Sequence, residues 1–114
     1  MYDFKRSQRV AQLLREEISK MITYDLKDPA MRMSTIATVR LSDDLKFAKI
    51  YVSVIGSAQE KDAAIQGLNR AKSWIRSELG RRLDLRHVPQ IDFSQDDTVD
   101  YAQKIERLLK QIKK

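Results

Sequence analysis

The sequence contains no cysteine, one histidine, two prolines and three glycines in 114 residues. The absence of cysteine excludes disulfides, thiolate metal sites and a cysteine nucleophile. The glycines, Gly56, Gly67 and Gly80, form neither a phosphate-binding loop nor a dinucleotide fingerprint. No apolar run approaches the roughly 18 residues of a membrane-spanning helix, and the first residues, MYDFKRSQRV, lack a signal-peptide core. We therefore expect a cytoplasmic protein that does not enter a membrane.

Side chains that support catalysis are also few. His87 is the only histidine, and its place before a Val-Pro pair is more typical of a loop or of the start of a strand than of a catalytic base. Two pairs of neighbouring aspartates, Asp43–Asp44 and Asp96–Asp97, stand where turn and cap residues are usual. A metal site would need carboxylates alone, and no calcium loop is present. The sequence thus argues against an enzyme and against a cofactor. A small hydrolase or nuclease acting through Asp43, Asp44 or His87 is a minor alternative.

Positive charge is abundant and unevenly distributed. The net charge is +6, with 22 Lys and Arg against 16 Asp and Glu, and the pI is near 9.7. This favours a polyanionic partner, nucleic acid before membrane. Between positions 70 and 86 only two acidic residues accompany six basic ones, which are Arg70, Lys72, Arg76, Arg81, Arg82 and Arg86. Such segregation favours a binding face, although a solvated helix face is the usual role of a charge run.

Hydrophobic periodicity predicts the first half of the fold. Residues 7–26 carry apolar side chains at helical spacing, and this helix should end before Pro29. Residues 34–42 and 45–56 change to a period of two, which predicts two strands, and the SDD turn at 42–44 pairs them as an antiparallel hairpin. Strict alternation in the first strand places Ile36, Thr38 and Arg40 on one face. One apolar face and one mixed face indicate a sheet covered by helices on one side.

The second half begins at a capping box formed by Ser57 and Glu60. The apolar stripe that follows reaches Leu83, so periodicity alone predicts one helix of about two dozen residues, with Gly67 and Ser73 as weak points. A third strand is predicted over Gln90–Ser94. A C-terminal helix is predicted over 98–113, with Asp96, Asp97 and Thr98 as cap candidates. These elements form a two-layer α+β domain that spans residues 1–114.

Several basic residues of this pattern are candidates for contacts with RNA. Arg70, Lys72, Arg76 and Arg81 lie off the apolar stripe and are expected to face solvent, where guanidinium groups can bind phosphates or stack on bases. Lys46 and Lys49 on the hairpin are second-tier candidates. Phe47 and Tyr51 beside them suit a groove, although cross-strand packing explains them equally well. Trp74, next to Ile75, is expected in the core or in a groove wall rather than as a stacking platform.

In the order and wording of these segments, the chain resembles the ribosome-binding factor A family. The resemblance runs from about Arg6 to Leu109. It covers the opening RVAQLLREEISKMI, the segment LKDPAMRMSTIATVRLSDDLKFAKIYVSV, and LNRAKSWIRSELGRRLDLRHVPQIDFSQDDT. No single motif is decisive, but the ordered set over some hundred residues is specific. The resemblance implies a type II KH-like fold, helix-strand-strand-helix-helix-strand, in which the long helical segment is two helices.

The resemblance also implies how the two helices meet. KH domains place a Gly-x-x-Gly loop there, which lets backbone approach phosphate. The family replaces this loop with a kink, typically Ala-x-Gly. The matching residues are Ala71, Lys72 and Ser73, so a serine stands where the family has glycine. Serine can cap the next helix through its hydroxyl, but it does not share the freedom of glycine at positive φ.

From the resemblance we expect an assembly factor that binds the free small (30S) ribosomal subunit and its 16S rRNA. It would assist late 16S rRNA processing, subunit maturation and growth in the cold. Assembly GTPases are further expected partners, and the protein is expected to be a monomer. On this hypothesis, charge reversal at Arg76 with Arg82 abolishes subunit binding and leaves thermal stability intact. The alternative is a protein-binding module whose partner is an acidic ribosomal or translation protein.

Overall fold

The structure, a computed structural model, describes residues 4–96 and 106–110. In the first range the main elements are α1 (Phe4–Lys20), β1 (Ser34–Leu41), β2 (Phe47–Val54), α2 (Ala58–Arg70), α3 (Lys72–Arg82) and β3 (Gln90–Gln95). This order confirms the α+β, type II KH-like fold. Residues 106–110 are helical and exposed. The rest of the predicted C-terminal helix lies outside the described residues.

The first helix ends as its sequence predicts, before Pro29, but it does so through a wider turn. After Lys20 the chain forms a π-helical turn over Met21–Asp25. The Leu26 amide donates to the Met21 carbonyl at 2.7 Å, one residue beyond an α-helical bond. A short 3₁₀ turn, Pro29–Met31, then leads into β1. The apolar stripe of α1 is buried through Val10, Leu14 and Ile18.

The described strands form one three-stranded sheet with β2 in the centre. β2 is antiparallel to β1 and parallel to β3, because α2 and α3 return the chain to the end where β2 begins. The three helices pack on the inner face of the sheet. The buried side chains of this face are Ile36, Ala48, Ile50, Val52, Val54, Ile91 and Phe93. The outer face carries polar, charged and aromatic residues and is open to solvent across much of its area.

A β-bulge at Ala37 changes which residues of β1 face the core. Ile36 lies opposite Val52 and Thr38 lies opposite Tyr51, so Ala37 has no partner across the strand pair. Ile36 is buried on the near side of the bulge, whereas the odd-numbered Val39 and Leu41 pack against the core beyond it. The prediction that Ile36, Thr38 and Arg40 share a face is therefore wrong beyond the bulge.

The long helical segment is two helices, as the resemblance implies and periodicity alone does not. α2 ends at Arg70 and α3 begins at Lys72, with Ala71 between them at φ −88° and ψ −1°. This backbone conformation is open to any L-residue, so the junction needs no glycine. Ser73 lies inside the first turn of α3 and is exposed. The expected serine cap is not formed, because the N-cap position of α3 is Ala71, which has no side-chain hydrogen bond to offer.

Two exposed carboxylates fix the local structure on either side of β2. The capping box is confirmed: Ser57 Oγ accepts from the Glu60 amide at 3.1 Å, and Glu60 Oε1 accepts from the Ser57 amide at 3.2 Å. In the β1–β2 turn, Asp44 Oδ1 accepts from the Ser42 hydroxyl at 2.7 Å and from the Lys46 amide at 3.0 Å. These hydrogen bonds hold the pKa of both carboxyl groups below their ordinary values.

Stability should consequently fall in acid. The lowered pKa of Asp44 and Glu60 means that their stabilisation is complete above the pKa of the unfolded chain, about 4, and is lost as the pH falls through the folded-state pKa. We expect Asp44→Asn and Glu60→Gln to lower the melting temperature at pH 7. The difference in melting temperature between each variant and the parent should shrink as the pH is lowered toward about 2. Asp43→Asn is the charge-removal control in the same turn, and a difference independent of pH at Asp44 would contradict the assignment.

Candidate nucleic-acid interface

A groove runs across the end of the molecule where β2 and β3 begin. It lies between the start of α1, the β1–β2 turn and the segment that joins α3 to β3. Its two parts have volumes of about 720 and 510 Å³ and share residues on their walls, so they form one depression. We call this the end groove. Its lining consists of Arg6, Arg9, Val10, Leu13, residues 44–47 and residues 84–90.

The end groove collects cations from three distant segments. Arg6 and Arg9 come from α1, Lys46 from the turn and Arg86 from the loop before β3, and all four residues are exposed. Asp44 and Asp84 lie among them, but the Asp44 carboxylate already accepts hydrogen bonds from its own turn. His87, also exposed, lies in the loop as its sequence predicts. Side chains of Val10, Leu45, Leu85 and Val88 contribute the apolar part of the lining.

The turn that carries Lys46 is held in one conformation. Leu45 has a φ of 61°, and among the described residues other than glycine it alone has a positive φ. A left-handed conformation costs such a residue roughly 1 kcal/mol or more. The Leu45 side chain packs against the core and helps to offset this cost. The Gln90 amide donates to the Lys46 carbonyl at 2.8 Å, which ties the turn to the start of β3.

Arg76 shapes the opposite wall instead of facing solvent as its sequence pattern predicts. Its Nε donates to the Pro89 carbonyl at 3.0 Å, and its Nη2 donates to the Val88 carbonyl at 3.2 Å. The residue is half-buried, and Pro89 is fully buried beneath the loop. The expectation of a solvent-facing Arg76 is therefore wrong, because its guanidinium is used to hold the backbone that enters β3.

Arg82 is similarly engaged within the protein. Its guanidinium lies 2.8 Å from Asp25, 3.5 Å from Glu78 and 3.9 Å from Glu17, and its side chain is 29% exposed. The hydrogen bond with Asp25 is the main cause of a raised Arg82 pKa. Oε2 of Glu78 is buried without a hydrogen bond, and its nearest cations are Arg82 and Arg81, the latter at 3.7 Å. Charge reversal at Arg76 and Arg82 should therefore lower the thermal stability of the protein, whereas the sequence alone predicts that it stays unchanged.

The remaining predicted residues fall on separate surfaces. Arg70, Lys72 and Arg81 are exposed on α2 and α3, together with Trp74. We call these four residues the helix surface. Trp74 is expected in the core or in a groove wall; it is 42% exposed and does not line the end groove, so the core position is wrong. Lys46 and Arg86 lie in the end groove, and Lys49 lies on the outer face of the sheet. Contact of these residues with RNA stays a prediction.

Sequence reasoning did not identify Arg6 and Arg9. The pattern of α1 draws attention to its buried stripe, and these two arginines look like ordinary solvent-facing residues of an amphipathic helix. They become candidates because Arg86, which is distant in sequence, lines the same depression. The available signal was their spacing. Residues three apart in a helix are neighbours on its surface, so Arg6 and Arg9 lie on the same side of α1.

The edge of β3 next to the helix junction is already occupied by a side chain. Asn69 Nδ2 donates to the Phe93 carbonyl at 3.0 Å, and the Phe93 amide donates to Asn69 Oδ1 at 3.0 Å. The Asn69 amide thus satisfies both backbone groups of Phe93 as a neighbouring strand would. Together with Arg76, it fastens α2 and α3 to β3. Exposed cations, rather than open backbone, are what this junction offers to a ligand.

The part of the chain that the structure describes offers neither a metal-binding cluster nor a membrane-spanning helix. No cluster of three or more His, Cys, Asp or Glu residues there could hold a metal ion. Within residues 4–96 and 106–110, no helix has both the length and the apolar character needed to cross a membrane.

Comparison with known proteins gives a consistent result. The family model described as ribosome-binding factor A matches residues 6–109. The chain is 44% identical to the ribosome-binding factor A of Syntrophobacter fumaroxidans over 114 residues, which cover 98% of this chain and 97% of that protein. The crystal structure of ribosome-binding factor A from Thermus thermophilus superposes with a TM-score of 0.70 at 26% identity. That match covers 78% of this chain and 93% of the other.

A second comparison structure comes from a complex with the ribosomal 30S subunit. A homology model of the Thermus thermophilus ribosome-binding factor A, fitted into a cryo-EM map of its 30S complex, has a TM-score of 0.64 at 27% identity. It covers 75% of this chain and 90% of that model. The matched family is one of ribosome-binding factors and is not a known enzyme family. From the extent of the family match and the identity over nearly its whole length, the chain belongs to the ribosome-binding factor A family.

Proposed function

We propose that this protein binds the small (30S) ribosomal subunit through 16S rRNA and assists its late processing and maturation, including in the cold. The observation that carries the proposal is the end groove, where Arg6, Arg9, Lys46 and Arg86 converge from three segments. Family membership supports the partner, since the Thermus thermophilus relative was fitted into the map of a 30S complex. The expected place of action is the cytoplasm.

The mechanism is electrostatic docking onto a preformed surface. Arginine and lysine side chains that neutralise phosphates release counterions, so affinity arises without any reaction and decreases as salt rises. The hydrogen bond from Gln90 to Lys46 fixes the β1–β2 turn, and those from Arg76 fix the loop before β3. The walls of the groove are therefore in place before RNA binds. Less conformational entropy is then lost on binding.

The helix surface is a second contact in this proposal. Arg70, Lys72 and Arg81 add exposed positive charge on α2 and α3, and Trp74 is also exposed on α3. Lys49 adds a cation on the sheet. Arg76 and Arg82 act in the proposal by shaping the protein, through their contacts with the loop before β3 and with Asp25. Assembly GTPases remain expected partners, and the protein is expected to act as a monomer without catalysing a reaction.

Charge reversal within the end groove tests the proposal. We expect Lys46→Glu combined with Arg86→Glu to weaken binding to purified 30S subunits about tenfold or more, because two phosphate contacts become repulsive. Cosedimentation at several salt concentrations measures this, and the salt dependence should become shallower in the double variant. The matched control is Lys27→Glu with Arg32→Glu, which makes the same charge change on exposed residues before β1, away from the groove.

Equal weakening by the two double variants would show that net charge, and not the groove, drives binding. Treatment with RNase distinguishes binding to rRNA from the alternative, binding to an acidic protein, which the same positive charge also favours. A contact with protein should survive digestion of the rRNA, and its affinity should not follow the counterion-release law. Unchanged melting temperatures in both variants would confirm that folding is not the cause of any loss.

A further inference from the structure

Phe47 is an exposed aromatic residue at the rim of the end groove. It is the first residue of β2 and lies opposite Gln90 of β3, and 59% of its surface is exposed. It lines the groove together with Lys46 and Arg86. Its backbone amide donates to the Ser42 hydroxyl at 3.0 Å, which fixes the backbone at this position. An exposed aromatic ring thus lies beside two cations at this rim.

The outer face of the sheet continues this arrangement away from the groove. Lys49 and Tyr51 follow Phe47 on the same face of β2, each step of two residues spanning about 6.7 Å. Both Lys49 and Arg40 lie 5.8 Å from the centre of the Tyr51 ring. The neighbouring positions on this face are the polar residues Thr38, Gln90 and Ser94 and the acidic Asp92, which lies opposite Lys49. The face therefore alternates ring and cation and has no contiguous apolar patch.

This chemistry suits an unpaired RNA strand better than a duplex or a protein. In a duplex the bases are stacked on each other, so their faces cannot reach an aromatic ring; an unpaired strand offers them freely. The repeat of about 6.7 Å between alternate residues of β2 also provides separate places for successive nucleotides of an extended strand. A protein partner recognised through the outer face would need further apolar contacts beside Phe47, and the next positions on that face, Gln90 and Lys49, are polar or charged.

We propose that the end groove accepts an unpaired RNA strand that continues onto the outer face of the sheet. One base stacks on the exposed ring of Phe47, and the adjoining phosphates lie against Lys46, Arg86 and Lys49. The inference rests on the proposed function, since it specifies which form of RNA the groove takes. It locates base contact on β2 and the turn before it, away from the α2–α3 junction where Asn69 and Arg76 fasten the helices to β3.

The test compares two forms of one RNA. A fluorescein-labelled RNA oligonucleotide that lacks self-complementarity is titrated with the full-length protein, alone and annealed to its complement. Fluorescence anisotropy gives both affinities. We expect the single strand to bind more tightly, and Phe47→Leu to weaken its binding roughly 5- to 150-fold, the range for loss of one base–aromatic stack. Duplex binding should change little, because it uses the cations alone.

Tyr24→Leu is the matched control, since Tyr24 is an aromatic residue with 73% exposure outside the groove. A second readout uses Phe47→Trp in a Trp74→Phe background, which leaves one tryptophan at the proposed site. Its fluorescence should be quenched by the single strand and not by the duplex. Phe47→Leu retains an apolar side chain, so its melting temperature should stay close to that of the parent.

The outcomes separate this inference from the proposed function. In one outcome, reversal of Lys46 and Arg86 weakens 30S binding, but Phe47→Leu leaves single-strand affinity unchanged and the introduced tryptophan is not quenched. Base stacking is then refuted, and phosphate docking stands. If Phe47→Leu weakens 30S binding while the isolated protein binds strand and duplex equally, Phe47 contacts a protein and the inference is again refuted. Loss of single-strand binding in both the groove and Phe47 variants, with quenching, supports it.

Discussion

Arg76→Ala should destabilise the protein by roughly 2–3 kcal/mol, the effect of losing hydrogen bonds between a charged donor and part-buried acceptors. The substitution leaves the Val88 and Pro89 carbonyls without their guanidinium donors at the point where the chain enters β3. Because Pro89 is buried and the loop before it forms a wall of the end groove, the loss should extend from stability to the shape of the groove. Equilibrium unfolding in urea measures the change directly.

Lys72→Ala provides the control for this prediction. It removes a positive charge from the same helix, but Lys72 is exposed, so its effect should stay within about 0.5 kcal/mol. Arg76→Lys should recover only part of the stability, since an ammonium group cannot reproduce the planar guanidinium fork that reaches two carbonyls. If Arg76→Ala proves as mild as Lys72→Ala, the guanidinium does not hold the loop in solution.

Asn69→Asp should destabilise the fold by roughly 3 kcal/mol at neutral pH, an amount typical of a lost hydrogen bond combined with an unsatisfied, charged neighbour. The introduced carboxylate can still accept from the Phe93 amide, but it has no proton to donate to the Phe93 carbonyl. Two oxygens then face each other at about hydrogen-bond distance beside β3. Thermal unfolding monitored by circular dichroism will measure the loss.

The same substitution predicts a distinctive pH dependence. When protonated, the introduced carboxyl group can both donate and accept, so folding should raise its pKa above the unfolded value of about 4. Its stabilising contribution is then complete below the unfolded pKa and is lost as the pH rises through the folded pKa. The difference in melting temperature between the variant and the parent should therefore narrow in acid. Asn69→Leu is the comparison, and a gap equally insensitive to pH in both variants would contradict the two-bond arrangement.

Local patterns predicted much of the fold because each depends on neighbours in sequence. The capping box at Ser57, the turn at 42–44 and β3, found one residue longer than predicted, follow from short-range chemistry. The bulge at Ala37 does not, because strict alternation remains possible until the partner strand fixes the register. The break between α2 and α3 is equally hidden, since Ala71 continues the apolar stripe across it.

The candidate site was harder to predict for a related reason. A basic side chain in a helical pattern has the same sequence signature whether it meets solvent, a carboxylate or a carbonyl. Arg76 meets two carbonyls and Arg82 meets three carboxylates, whereas Arg86 lines a groove with Arg6. Only long-range packing distinguishes these cases, and it gives Arg76 and Arg82 partners within the protein.

The unpaired residue in β1 has a consequence for how copies of the protein meet one another. β1 is an edge strand, and a straight edge offers its unused amide and carbonyl groups to the strand of another molecule. At Ala37 the ladder is interrupted and the strand bends, so an incoming strand cannot keep register along the whole edge. The bulge thereby discourages the growth of intermolecular sheets from this edge.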